Sequence, residues 1–431
     1  MRSQHQQGIE ASTHGLWAAT APVLQTEPLS GDSSADVAVI GAGYTGLSAA
    51  LHAREHGLSV VVLDAADVGF GGAGRNVGLV NAGLWLQPND VLKALGKSYG
   101  ERLIAELGRA PQVVFELIEC NAIACEANPK GTLHCAVGRK GVSELEQRFA
   151  QWRELGAPVE LLTREQTVAE VGSTAFAASL LDRRAGTIQP LAYARGLATA
   201  AMRQGAHIYS QTPVQKVEQE RARWKLSTSR GSVLADWVVV ATDAYTKGPW
   251  AEVRQEQVAL PYFNLATKPL SPALRESILP SRRGAWDTQS VLTSFRLDDA
   301  GRLIFGSVGA LRSGGAAVHK AFSRRALRTL FPQLAAVEFE HAWYGTIGMT
   351  ADSIPRFHRF APNVLGISGY NGRGIGPGTV FGRLLAQHVA GKLREDEMPL
   401  PVSPVQSPKL RHLKEWTYEY GAQLAHLFAS R

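Results

Sequence analysis

DVAVIGAGYTGLSAALHAREHGLSVVVLD, residues 36–64, decides the fold. Asp36–Ile40 is short, β-branched and followed at once by glycine, which predicts a buried parallel strand. SAALHAREHG has helical periodicity and ends at Gly57, a plausible residue just beyond a helix C-terminus. SVVVLD, 59–64, predicts a second buried strand. Strand, helix and strand within about thirty residues make a βαβ unit with a right-handed crossover. Between the first strand and the helix lies Gly41-Ala42-Gly43-Tyr44-Thr45-Gly46, a G-x-G-x-x-G run. Its glycines have separate tasks. Gly41 makes the tight turn, Gly43 lets backbone approach a pyrophosphate, and Gly46 lets helix and strand pack closely. The helix N-terminus offers unpaired N–H groups and a partial positive charge to phosphates. Asp64, eighteen residues beyond Gly46, is placed to accept hydrogen bonds from a ribose. The unit is a dinucleotide site.

A second glycine-rich stretch, GFGGAGRNVG at 69–78, follows directly. Glycine costs folding entropy, so such a run implies a tight backbone or one lying against a ligand. Elsewhere the chain is ordinary. It has 431 residues, 45% hydrophobic and 19% charged, enough for two or three domains or one large interleaved fold. No apolar run approaches the ~20 residues of a membrane span. The start, MRSQHQQGIEASTHGLW, has no apolar signal region, so a cytoplasmic location is expected. Cys120, Cys125 and Cys135 are odd in number and lack a C-x-x-C pair, which argues against a disulfide framework or a metal site. The net charge of +7 comes from scattered basic pairs such as Arg183-Arg184 and Arg324-Arg325. That pattern speaks for a solvated surface or acidic metabolites and against nucleic acid.

Further elements follow from pattern. Strands are expected at 131–138 and in HIYSQTPVQKVEQE, helices at 141–156 and 191–205, and a hairpin turning at Arg230-Gly231 before a buried strand at Trp237–Val240. From about 259 to 340 the pattern reads as antiparallel strands. A strand at 363–368 runs through GYNGRGIGPG into a helix, TVFGRLLAQHVAGKL. After a proline-rich linker, Leu410, Leu413, Trp416, Tyr420, Leu424 and Leu427 form an apolar stripe on a final helix. Docking of that stripe on its own domain is expected, with a dimer contact or a membrane surface as alternatives.

The stretch GAGYTGLSAALHAREHG…VVVLDAADVGFGGAGRNVG resembles the D-amino-acid oxidase-like family of FAD oxidoreductases, and within it bacterial γ-glutamylputrescine oxidoreductases. Those proteins carry an (A/G)-S-G-R-N-G-G loop; here Ala73 replaces Ser and Val77 replaces Gly. The resemblance spans roughly residues 36–395. It implies an α/β fold: a Rossmann-like FAD-binding domain of the glutathione-reductase type, with an inserted antiparallel β-sheet substrate domain. The implied segments are an arm at 1–34 packing on the surface, the FAD-binding domain at 35–90, 183–258 and 340–398, the substrate domain at 91–182 and 259–339, and a C-terminal linker and helix at 399–431.

The implied FAD contacts are the first glycine run with Asp64 and Ala65, then Gly72, Ala73, Gly74, Arg75, Asn76, Val77, Gly78 and Leu79. Arg75 and Asn76 would touch the cofactor or hold the loop. Val214 matches a backbone contact to adenine. Ala241 and Thr242 end a late strand near FAD. Gly372, Arg373, Gly374, Ile375 and Gly376 match the family's run against the isoalloxazine. The stretch Gly345–Asp352 lacks the cysteine that tethers flavin in sarcosine-oxidase-like relatives, and no histidine follows Asn76, so FAD is expected to be non-covalent. Arg302-Leu-Ile304-Phe-Gly306 lacks the lysine those relatives use toward oxygen, which leaves oxygen, a quinone or another carrier open as electron acceptor. The implied reaction is oxidation of a primary or secondary amine, γ-glutamylputrescine-like, by hydride transfer to flavin N5, with the imine hydrolysed to an aldehyde. An amino acid or aminophosphonate is the alternative substrate, and a flavin-binding protein of little turnover is the alternative of another class. His341, Trp343, Tyr344 and Tyr370 are the pocket candidates.

Overall fold

The computed structural model of the chain describes residues 14–428, apart from 313, 335 and 337. Strand β1 (Ser33–Ile40), helix α1 (Tyr44–Glu55) and strand β2 (Val60–Leu63) form the expected βαβ unit, and Gly57 takes φ +82° just beyond the helix. Five strands run parallel in the order Val364–Ser368, Ser232–Val240, β1, β2, His207–Tyr209. Arg356–Ala361 adds an antiparallel edge, and Lys216–Glu220 with Arg223–Ser227 extends Ser232–Val240 as the expected hairpin. β2 is buried throughout, as a parallel strand covered on both faces should be. Helix α3, numbered after α2 (Gly315–Leu330), spans Ile375–Val389 and packs on α1. Glycine makes that contact close: a Cβ on Gly382 would sit 2.4 Å from the Thr45 carbonyl oxygen.

A second eight-stranded sheet has the order Phe339–Met349, Val258–Pro269, Arg302–Val308, Thr293–Leu297, Gly284–Asp287, Thr132–Ala136, Ala178–Asp182, Val159–Leu162. It joins the two segments expected to build the substrate domain. The seam between them, Gly284–Asp287 with Thr132–Ala136, is parallel, whereas the other ladders are antiparallel.

Several expectations are corrected. Within the span read as antiparallel, the stretch 315–330 is helix α2; His319, Phe322, Ala326, Leu327 and Leu330 recur at helical spacing and are buried. Phe339–Met349 pairs with Val258–Pro269, so the boundary expected at 340 falls inside the second sheet. Helices Pro88–Gly108 and Ala110–Cys120 bury Leu103, Leu107 and Val114 in the same core as α1 and α3, so this part of the expected substrate segment packs with the FAD-binding side. The N-terminal arm is not only a surface feature, because Leu16 and Trp17 are fully buried. Trp17 Nε1 donates to the Asn76 carbonyl at 2.9 Å, and its ring meets Trp343 edge-on at 5.3 Å. Residues 1–13 of the arm lie outside the described residues.

The last helix, α4 (Arg411–Phe428), docks with its other face. Ala422 and His426 are buried, while the expected stripe points to solvent. Polar anchoring explains the inversion. Glu415 pairs with Arg254 at 2.8 Å and accepts from the Ala259 amide at 3.0 Å, Glu419 pairs with Arg312, and His426 Nδ1 lies 2.8 Å from His319 Nδ1.

Candidate active site

A cavity of about 1450 Å³ runs from the β1–α1 turn, past the ends of β2 and Ser232–Val240, to the second sheet and α4. It exceeds the ~300–1,000 Å³ of an ordinary small-molecule pocket. The glycines at its first end behave as their spacing requires. Gly41 takes φ +104°, and a Cβ there would lie 2.8 Å from the Ala241 carbonyl oxygen. A Cβ on Gly46 would fall 1.9 Å from the Gly41 carbonyl oxygen. Gly43 instead opens on the cavity, with nothing nearer its Cβ position than Ala73 at 3.8 Å. Backbone can therefore meet a ligand there, beside the N-terminus of α1.

Asp64 lines the cavity and receives the Ala42 amide at 2.6 Å and the Ala66 amide at 2.8 Å. Burial pushes its carboxyl up to about 6, against the pull of those two amides. Ala65, Val214, Ala241 and Thr242 line the same end.

The 69–78 loop is a clasped structure. Asn76 Nδ2 donates to the carbonyls of Gly72 and Ala73, each at 3.0 Å, and its Oδ1 accepts from the Gly78 amide at 2.8 Å. Tyr44 adds its hydroxyl, donating to the Ala73 carbonyl at 2.6 Å. Arg75 lays its guanidinium 4.3 Å from the Phe70 ring centroid, while its carbonyl accepts from Asn264 and Trp343, each at 3.1 Å. Gly72, Ala73, Arg75, Asn76, Val77 and Leu79 line the cavity.

Some expected cofactor residues stand behind the wall. Ala42, Gly46, Gly74, Gly78 and Gly376 are not among the lining residues. Their small size serves packing: a Cβ would meet the Gly69 carbonyl oxygen at 2.3 Å from Gly74, the Ile188 carbonyl oxygen at 2.1 Å from Gly78, and Ala110 at 3.0 Å from Gly376. Gly372, Arg373, Gly374 and Ile375 do line it, with Gly372 at φ +84°. α3 starts at Ile375, four residues earlier than its periodicity suggests, and so presents its N-terminus to the cavity.

The aromatic candidates divide. Tyr370 lines the cavity, its hydroxyl 2.6 Å from the Thr45 hydroxyl. His341, Trp343 and Tyr344 do not. They sit on the half of Phe339–Met349 that lies away from the cavity; only Gly345–Met349 reach it. Trp343 is buried against Trp17, and His341 lies beside Glu340.

The far end is lined by residues that no motif announces. Trp85, Leu260, Tyr262, Trp286 and Leu292 supply apolar surface, and Tyr418 and Ala422 of α4 close one side. Arg373 sits among them, 8% exposed, with its guanidinium 4.8 Å from the Trp85 ring and 5.6 Å from Trp286. It donates to the Ala82 carbonyl at 2.7 Å and has no ion pair among the described residues. Burial and the nearby Arg148 push its pKa down to about 9, against a weaker opposing pull from Asp182, whose ion pair is with Arg184. A buried guanidinium without a carboxylate is costly, and an anionic ligand would offset it.

The site fits a large dinucleotide. It has the open glycine, the helix N-terminus, the acid at the end of β2 and a volume that leaves room beyond the cofactor. Comparison with known proteins agrees. Residues 36–388 match the family model for FAD-dependent oxidoreductases (DAO). The chain is 34% identical to γ-glutamylputrescine oxidoreductase of Escherichia coli over 367 residues, covering 83% of this chain and 84% of the relative. It is 30% identical to the probable oxidoreductase OrdL of Haemophilus influenzae over 374 residues, covering 85% and 86%. Among solved structures, glycine oxidase from Geobacillus kaustophilus superposes with a TM-score of 0.70 at 20% identity, covering 88% of this chain and 99% of that one. The chain belongs to the DAO family of FAD-dependent oxidoreductases, and FAD is its cofactor.

Proposed function

We propose that the protein oxidises an amine of the γ-glutamylputrescine kind at the carbon bearing the reacting nitrogen, giving an imine that water hydrolyses to an aldehyde. The observation that carries this reading is Arg373, buried at the far end of the cavity and in no ion pair among the described residues. It suits a substrate with an amine at one end and a carboxylate at the other. The similarity to γ-glutamylputrescine oxidoreductase supports the same choice.

Bound FAD supplies the two-electron acceptor that takes hydride from the substrate carbon. The chain's own residues do the positioning. Gly43 and the N-terminus of α1 hold the pyrophosphate, and Asp64 holds the ribose. Among the described residues neither cysteine nor histidine lines the cavity, which favours a non-covalent cofactor. Arg373 anchors the carboxylate. Trp85, Tyr262 and Trp286 pack the alkyl chain and exclude water from the reacting carbon. The amine reacts as the neutral base, so the rate rises with pH through the amine pKa.

An amino acid or aminophosphonate also carries an anion, so Arg373 favours that second reading as well. An anaerobic panel separates the two. γ-Glutamylputrescine, putrescine, sarcosine, amino acids and aminoethylphosphonate are added to purified protein while flavin absorbance is followed. Bleaching fastest with γ-glutamylputrescine supports the first reading, and bleaching fastest with an amino acid replaces it with the second. Absence of bleaching by any amine refutes both in favour of a flavin-binding protein of little turnover. Readmitting air then separates oxygen from a quinone or another carrier as acceptor. In Arg373→Met, KM for the carboxylated amine rises about 10- to 150-fold, as the loss of a charged hydrogen bond of ~1.5–3 kcal/mol requires. KM for putrescine stays unchanged, and Arg373→Lys recovers part of the loss. An equal effect on both amines would remove the anchoring role.

A further inference from the structure

Helix α4 has two faces, and one of them is left exposed by the described residues. Leu413, Trp416, Tyr420, Leu424, Leu427 and Phe428 lie within about 120° of one another at 3.6 residues per turn, and they are between 45% and 83% exposed. Leu410, just before the helix, is 71% exposed and continues the stripe. Single exposed apolar residues need no explanation, but a contiguous set this size marks an interaction surface.

The charges say what it meets. The two acids of the helix, Glu415 and Glu419, turn inward and are neutralised by Arg254 with Arg411 and by Arg312. The formal charges left outside are cationic: Lys409 and Lys414 are exposed. A helix with leucine and aromatic side chains on one stripe, lysines at its border and its acids hidden matches an anionic lipid interface. At 18 residues it is about 27 Å long, and among the described residues no helix is long and apolar enough to cross a membrane, so the helix would lie in the plane of the surface.

We infer that the outward face of α4 docks on an anionic lipid surface. Two other occupants fit less well. A second copy of this helix offers those lysines no free carboxylate, because its own Glu415 and Glu419 are already paired with Arg254 and Arg312. Residues 1–13, MRSQHQQGIEAST, hold only Met1, Ile9 and Ala11 as apolar side chains and do not match an apolar stripe. Docking also has a consequence for the site. The same helix lines the cavity through Thr417, Tyr418, Gly421 and Ala422, from its buried face at Ala422 round to the edge of the exposed stripe at Thr417. The helix that meets the lipid is then also a wall of the cavity. This inference stands independently of the substrate assigned above.

The test is flotation of the full-length, FAD-loaded protein with phosphatidylcholine vesicles, with and without phosphatidylglycerol, at low and high salt. Analytical ultracentrifugation without lipid runs alongside. The protein should float with phosphatidylglycerol vesicles, remain behind with neutral ones, and partition at least tenfold less at high salt. The double variants Trp416→Asp/Leu424→Asp and Lys409→Glu/Lys414→Glu should each lose binding at least tenfold while keeping their flavin spectrum, since they alter only exposed positions. No flotation with phosphatidylglycerol would overturn the inference. So would flotation that both variants retain, or a dimer in solution that Trp416→Asp/Leu424→Asp disperses.

Discussion

Asp64→Asn tests the cofactor end of the site through its proton. Burial holds the Asp64 carboxyl at about 6, well above the ordinary value of 3.8, although the Ala42 and Ala66 amides favour the charged form. In the protein without cofactor, a raised carboxyl contributes stability at low pH that is lost as pH rises through 6. Cofactor binding has the opposite sign, because ribose hydroxyls donate to the carboxylate. If only the ionised form accepts them, Kd for FAD is multiplied by one plus ten to the power (6 − pH). That factor is about elevenfold at pH 5 and near unity at pH 8, or ~1.4 kcal/mol. Asp64→Asn cannot titrate. Its Kd at pH 8 rises by about 10- to 150-fold, the value of a charged hydrogen bond at ~1.5–3 kcal/mol. Its pH profile between 5 and 8 is flat. The assay strips FAD and follows flavin fluorescence quenching on rebinding, at constant ionic strength. His14, beside the glycine-rich loop, does not interfere, because burial and Arg75 push its pKa down to about 4. A wild-type Kd that does not change between pH 5 and 8, or a variant that keeps the wild-type slope, would refute the reasoning.

Other expectations follow from contacts outside the motif. Trp17→Ala removes a fully buried ring and the hydrogen bond to Asn76. Urea unfolding should register a loss of about 3–5 kcal/mol, with FAD binding weakened through the loosened loop. The His319–His426 pair fastens α4 from below, between the rings of Phe263 and Phe322. Burial lowers both imidazoles, His319 to about 4 and His426 to about 3, and the His319 and Arg325 charges lower His426 further. The unfolded chain therefore binds more protons, and the pair's contribution, present above pH 6.5, is lost as pH falls below it. The slope approaches about 2.7 kcal/mol per pH unit for two protons. Denaturation at pH 7, 6 and 5 should show it, and His426→Gln should reduce it by about half; an unchanged slope would locate the acid sensitivity elsewhere.

What was legible in the sequence was what the chain settles over a short span. Gly41, Gly43 and Gly46 stand at a fixed spacing because a strand must turn into a helix within a few residues. The contacts of those three glycines repeat what the spacing implies. Asn76 was readable as a holder of its loop for a similar reason, since its partners at 72, 73 and 78 are its own neighbours. The far end of the cavity has no such local signature. Trp85, Tyr262, Trp286 and Arg373 come from four separate parts of the chain and meet only when the second sheet is laid beside the first. Arg373 was visible as part of a glycine run. That no described carboxylate pairs with it, which gives it meaning, is a property of the surroundings and not of the run. Trp343 and Tyr344 failed as pocket residues because a strand can line a cavity along half its length and a core along the rest. The final helix makes the same point more sharply. Periodicity identified the stripe from Leu410 to Leu427 correctly, and then hydrophobicity suggested that it faces inward. The inward face is instead chosen by Glu415, Glu419 and His426, whose partners Arg254, Arg312 and His319 all lie elsewhere in the chain. Periodicity reports that a helix has an apolar face. Which face the fold keeps for itself depends on polar partners that only the tertiary structure brings together, and the face left over is where an outside surface can act.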